Sequence, residues 1–266
     1  MIRFDAEDGA LRLGGDHLEA LLLGLRSPSA PDPAGIGAEE REELERAWAD
    51  LIAAGVVDPN GQPAETLAPR CEALRTPWLA VQLNTIGPAG TETHQLWTQA
   101  SLGVAAGHIG EGWYDLIPIT PEGIPAALFR LGRLGTRGHP APADIAVPST
   151  VFTGLFEDGH AQADQLAGAL EPTWPDAAEQ VRGENWRILQ VDTAWAPALF
   201  GDPGRAQAVS QALLVLDTMV GYFAIVPGEP TSVRAITPTD LWEILIGITL
   251  PPDDLDPTLL TQADAR

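Results

Sequence analysis

Lysine is absent from the chain. All fifteen basic residues are arginine, set against 37 acidic residues in 266, for a formal charge of −22. Without lysine there is no Schiff base on a lysine amine, no lysine nucleophile and no P-loop, whose phosphate grip needs that ammonium. So large a negative charge repels polyphosphate, and no local run of arginine offsets it, so neither a nucleic-acid partner nor insertion into an anionic membrane is expected. The single cysteine, Cys71, excludes an intrachain disulfide framework. Long apolar runs are missing as well: the segment Leu213–Val226 is interrupted by Asp217 and falls short of the roughly eighteen residues that span a bilayer. Met1–Asp5 shows no charged-then-apolar signal pattern, and a soluble, cytoplasmic protein is expected.

The patterns that carry chemistry are equally scarce. The five histidines, His17, His94, His108, His139 and His160, never fall at HxH, HxxxH or HExxH spacing, so no single helix or strand presents two of them to a metal. None of the six serines lies in a GxSxG elbow. Cys71 reads as a packing residue of an amphipathic turn. The glycines at 132, 135 and 138 and at 35 and 37 lack the strand-before, helix-after setting of a dinucleotide loop. Asp253, Asp254 and Asp256 read as an acidic tail, and Asp58–Gly61 as a turn. No metal, no cofactor and no catalytic residue is expected.

What is present is the composition of a folded chain, with 45% hydrophobic and 20% charged residues, and 27 Gly and 24 Pro that divide it into short elements. Ile2–Asp5 and Ala10–Leu13 read as a small hairpin. Asp16 with Glu19 opens a helix with leucines at 18, 21, 22 and 25 in a capping-box pattern. A second helix over 38–54 places Leu44, Trp48, Leu51 and Ile52 on one face, loads glutamates at its N-terminal end and stops at Gly55. A further helix within 64–75 is started or interrupted by Pro69.

From Trp78 the period changes from 3.6 to 2, and the chain repeats itself. Trp78–Thr85 aligns with Trp186–Thr193 at an offset of 108 residues, with Trp, Gln and Thr identical. Leu102–Gly103, Ala106 and Gly110–Glu111 match Val220–Gly221, Ala224 and Gly228–Glu229 at 118, and Ile119–Thr120–Pro121 matches Ile236–Thr237–Pro238 at 117. The change of offset puts a longer hairpin loop in the second copy, at 194–208. Each copy reads as antiparallel strands followed by a helix, with Thr120 and Thr237 as N-caps, Pro121 and Pro238 at the first helical position, and Leu128 and Leu245 on the buried face. The expected fold is α+β, internally duplicated antiparallel β-sheet units with flanking helices about a pseudo-twofold axis. Its N-terminal half is 1–137, a Pro-rich linker covers 138–147, and the C-terminal half, 148–266, opens with helical pieces near 151–156, 162–170 and 175–181; the two halves are expected to form one globule.

Alternation from Trp78 sends Leu79, Val81 and Leu83 to one side and Trp78, Ala80, Gln82 and Asn84 to the other, with Trp97 and Gln99 likewise opposing Leu96 and Thr98. Tryptophan mixed with amides suits a covering helix of the same chain or a partner surface.

The segment ALLLGLRSPSAPDPAGIGAEEREELERAWADLIAAGVV, Ala20–Val57, resembles the opening of the EspG proteins associated with ESX (type VII) secretion: a leucine-rich helix, a Pro-rich loop, and an E-E-R-rich helix ending in glycine and an apolar pair. ALLVLDTMVGYFAIV, Ala212–Val226, resembles that family's strand–turn–strand. The resemblance implies a central antiparallel sheet with pseudo-twofold halves. It also implies a cytosolic, non-enzymatic chaperone-like adaptor that binds PE/PPE-like helical-hairpin secretion substrates. By that analogy the partner-binding surface comprises a long hairpin loop with Pro88, Thr91, Glu92 and His94, the polar sheet face with Gln82, Trp97 and Gln99, and a helix near Phe152 and Phe156. Charged contacts to the substrate would come from Arg187, Arg205 or Arg234. Two other readings stand beside it: a hydrolase-type enzyme using dispersed Asp, Glu and His residues brought together by folding, and a domain that homodimerises through its sheet.

Overall fold

Alternating burial runs through the segment that follows Trp78: Leu79, Val81, Leu83 and Thr85 are buried, and the residues between them are more open. The computed structural model describes residues 2–4, 9–26, 37–158, 162–196 and 209–250. Their strands are β1 (Arg3–Phe4), β2 (Leu11–Gly14), β3 (Leu79–Gly87), β4 (Gly90–Gln99), β5 (Leu102–Gly110), β6 (Trp113–Ile119), β7 (Asp144–Val147), β8 (Trp186–Trp195), β9 (Val209–Thr218), β10 (Gly221–Val226) and β11 (Thr231–Ile236). All join one sheet in the order β1-β2-β6-β5-β4-β3-β8-β9-β10-β11-β7, with antiparallel neighbours throughout.

The duplication is visible in that order. The run β6-β5-β4-β3 is mirrored by β8-β9-β10-β11, and the two copies meet where β3 pairs with β8. In the ladder Leu83 lies opposite Val191, its own counterpart at the offset of 108, and Val81↔Thr193 exchanges with Thr85↔Leu189. A twofold operation perpendicular to the sheet therefore passes between Leu83 and Val191. Residues 138–147 carry β7, which pairs with β11 at the sheet's edge.

The helices form α1 (Gly15–Arg26), α2 (Ala38–Ala53), α3 (Ala68–Arg75), α4 (Ile124–Leu131), α5 (Ser149–Asp158), α6 (Ala163–Leu170), α7 (Pro175–Arg182) and α8 (Pro238–Thr249). On one face α4 and α8 lie over the centre, where Leu128 and Leu245 join Leu83, Val191 and Tyr222 in a shared core. On the other face α1–α3 cover the first half, packing on Trp97, Val104 and Leu116, while α5–α7 cover the second, packing on Ile188, Leu216 and Phe223. Three apolar clusters thus fix one sheet between a central pair of helices and two lateral layers.

Several local expectations are revised. Helix α1 starts at Gly15, whose N–H donates to the Gly112 carbonyl at 2.8 Å, so Asp16 sits in the first turn instead of capping it. Thr237 caps α8 through a reciprocal pair with Asp240: the Asp240 N–H donates to Thr237 Oγ1 at 3.0 Å and the Thr237 N–H to Asp240 Oδ2 at 2.7 Å. Thr120 makes no such bond, because glycine, Gly123, holds the place of Asp240 at that offset, and a 3₁₀ turn, Pro121–Gly123, precedes α4. Trp78 lies before β3 and packs with the α4–α8 core, on the side opposite to that expected from alternation. Pro88–His94 is not a long loop: Gly87 pairs with Gly90 around Pro88–Ala89, and Thr91–His94 run in β4. Gly90 at φ 109° closes that turn.

Candidate functional site

Neither lateral helical layer reaches the middle of the sheet. There, β3 presents Ala80, Gln82 and Asn84, and β8 presents Gln190, Asp192 and Ala194, side chains too short or too polar to hold a helix. The result is a groove of about 540 Å³, rimmed by Leu22 of α1 on one side and Ser210–Ala212 of β9 on the other, with Gln82, Gln95, Trp97 and Asp192 on its floor.

The floor is built around the twofold. Gln82 lies opposite Asp192 and Asn84 opposite Gln190. Gln82 Nε2 donates to Asn84 Oδ1 at 3.2 Å, and in the second copy Gln190 Nε2 donates to Asp192 Oδ2 at 2.7 Å. The copies then diverge. Thr93 lies across from Asn84 and its hydroxyl donates to Asn84 Oδ1 at 2.9 Å; across from Asp192 stands Ala212, which has nothing to donate.

Pairing register sorts the residues expected at a partner surface, because directly opposed residues of antiparallel strands share a face. Gln82, Thr91, Trp97 and Gln99 lie on the groove side, and Gln82 and Trp97 line the groove itself. Trp97 is only 4% exposed, held beneath the first helical layer. Gln99 is turned to Thr76, its Nε2 donating to Oγ1 at 2.8 Å. Glu92 and His94 lie on the opposite face, and Pro88 is at the hairpin tip. Phe152 is buried in the core under α5–α7, and the side chain of Phe156 lies outside the described residues. Of the three arginines, Arg187 is bound to Asp217 at 2.8 Å on the α4–α8 face, Arg234 pairs with Asp144 at 3.1 Å, and Arg205 lies outside the described residues.

His94 is the most perturbed group of the set. Its Nδ1 accepts the His108 N–H at 2.9 Å, while Nε2 is buried with no hydrogen-bond partner among the described residues. Burial pushes its pKa below the ordinary value, against the pull of Glu92, whose Oε2 is 3.9 Å away. Burial also pushes the Cys71 thiol up to about 11, which leaves it protonated and inert. Among the described residues no group of three or more His, Cys, Asp or Glu is placed to hold a metal ion, and no helix is long and apolar enough to cross a membrane.

Residues 190, 192, 211 and 212 were not singled out from the sequence. For 190 and 192 the signal was present in the repeat, which aligns Gln82 and Asn84 with Gln190 and Asp192.

No family model and no curated protein matches the chain. Among solved structures, that of the Mycobacterium tuberculosis type VII secretion system chaperone EspG5 in complex with a PE25–PPE41 dimer is similar over 91% of this chain and 97% of that one, with a TM-score of 0.54 and 16% identity. A duplicated sheet with helices on both faces, matched along nearly the whole of both chains, gives this protein the fold of EspG5.

Proposed function

We propose that this protein is a cytosolic, chaperone-like adaptor for type VII secretion, non-enzymatic, which holds a PE/PPE-like helical-hairpin substrate in the groove between its two lateral helical layers. The observation that carries the reading is the fold shared with EspG5 over 91% of the chain. The groove supports it: an open trough lined by Leu22, Ala80, Ala194 and Ala212 beside the amides of Gln82 and Gln95 offers apolar area together with hydrogen bonds, as partner surfaces do. A net charge of −22 keeps a complex with an aggregation-prone substrate dispersed.

Co-expression with helical-hairpin secretion substrates encoded near the gene, followed by gel filtration, tests the function. A stable complex with at least one of them is expected; free protein with all of them removes the reading. Ala212→Trp tests the site, since Ala212 is exposed on the groove wall and a large ring there fills the trough without touching a core. The variant is expected to keep the wild-type melting temperature and lose the complex. Retention of the complex would place the substrate elsewhere.

A further inference from the structure

Resting on that reading, we infer that the groove selects a substrate which inserts a cationic side chain, arginine or lysine, against Asp192. Among the described residues that line the groove, Asp192 is the single ionisable one. An ionised carboxylate offers about four acceptor sites, and among the described residues Asp192 is bonded by Gln190 alone. Its counterpart in the first copy shows what a self-sufficient version looks like. Asn84 is uncharged and accepts from both Gln82 and Thr93. In the second copy the amide is replaced by a carboxylate and the threonine by Ala212, so a charge is added and a donor removed at one spot, on the side that opens into the groove.

Among its described residues the chain sets no cation against Asp192. It has no lysine, and the arginines whose ion pairs are described are paired elsewhere, including Arg137 and Arg187 with Asp217, Arg133 with Glu92 and Arg234 with Asp144. Beside Asp192 on the groove floor stand Gln82 and Gln95, whose side-chain amides carry carbonyl acceptors that suit the remaining donors of a guanidinium or ammonium. An anionic substrate tip would meet like charge, with no cation among the described lining residues to compensate it.

The test uses the full chain and the helical-hairpin substrate that co-purifies with it. Asp192→Asn restores the residue that the fold already carries at position 84, so folding should be unchanged, which the melting temperature verifies. The variant is expected to bind at least about tenfold more weakly, as loss of a charge-assisted bond entails, and its affinity should depend less on salt than that of the wild type. In the reciprocal arm, changing the responsible Arg or Lys of the substrate tip to Glu abolishes binding to the wild type and is rescued by Asp192→Arg. Wild-type affinity and salt dependence for Asp192→Asn, alongside loss of binding for Ala212→Trp, would overturn the cation and leave the groove standing. Wild-type binding by both variants would overturn the groove and the cation together. Failure of every candidate to co-purify with the wild type would remove the adaptor reading and this inference with it.

Discussion

His94 shows how one side chain records its surroundings. At 2% exposure it sits in the sheet opposite Leu83, with Glu92 beside it on β4, Arg133 reaching Glu92 at 3.4 Å from the end of α4, and the His108–Tyr114 pair on the neighbouring strands. Because burial lowers its pKa, the folded protein resists taking up a proton that the unfolded chain binds at its ordinary value near 6.5. Above that value both states are neutral and His94 contributes no pH dependence. As pH falls below it the unfolded state gains protons first, so stability is lost by at most about 1.4 kcal/mol per pH unit until the folded pKa is reached. His94→Asn retains an acceptor for the His108 N–H and does not titrate. Its melting temperature should therefore fall less than that of the wild type between pH 7.5 and pH 5.5, and parallel curves would show that His94 is not the group responsible.

At the scale of elements, the two copies provide a comparison within one molecule. α8 is capped by a reciprocal Thr237–Asp240 pair and α4 is not, although both follow the same Ile–Thr–Pro sequence. Removing the cap with Thr237→Ala should cost about 1 kcal/mol, seen as a lower urea midpoint, whereas Thr120→Ala should cost clearly less because no side-chain cap bond is lost. Equal costs would mean that the hydroxyls act through packing alone. The sequence places threonine and proline correctly in both copies; the difference turns on the third residue of each helix start, aspartate in one and Gly123 in the other, and a reciprocal cap needs both partners. Residues 88–94 teach a related lesson. A Pro–Ala–Gly stretch looks loop-like, yet Thr91, Glu92, Thr93 and His94 alternate and are drawn into β4 by nine consecutive pairings with β3.

For the whole molecule, charge works against compactness. With a formal charge of −22 the folded state concentrates repulsion that the unfolded chain relaxes. Added sodium chloride should therefore raise the melting temperature from about 20 mM to about 300 mM, as the screening length falls below roughly 10 Å. A decrease would show that exposed pairs such as Arg12–Asp115 and Arg182–Glu171 outweigh the net repulsion.

The same scale separates what the sequence determined from what folding decided. Period-2 and period-3.6 patterning determined the central strands and most helices, because side-chain alternation and amphipathic spacing are local properties. The repeat determined the symmetry: an offset of 108 between Trp78–Thr85 and Trp186–Thr193 is the separation at which Leu83 meets Val191. Which polar residues stay open was decided only in three dimensions. Alternation puts Gln82 and Trp97 on one face without distinguishing them, but Trp97 is covered by helices from residues 15–75, while Gln82 lies beyond their reach, beside Asp192 from the other half. Coverage depends on how far layers remote in sequence extend over a shared sheet, and no local period encodes that distance.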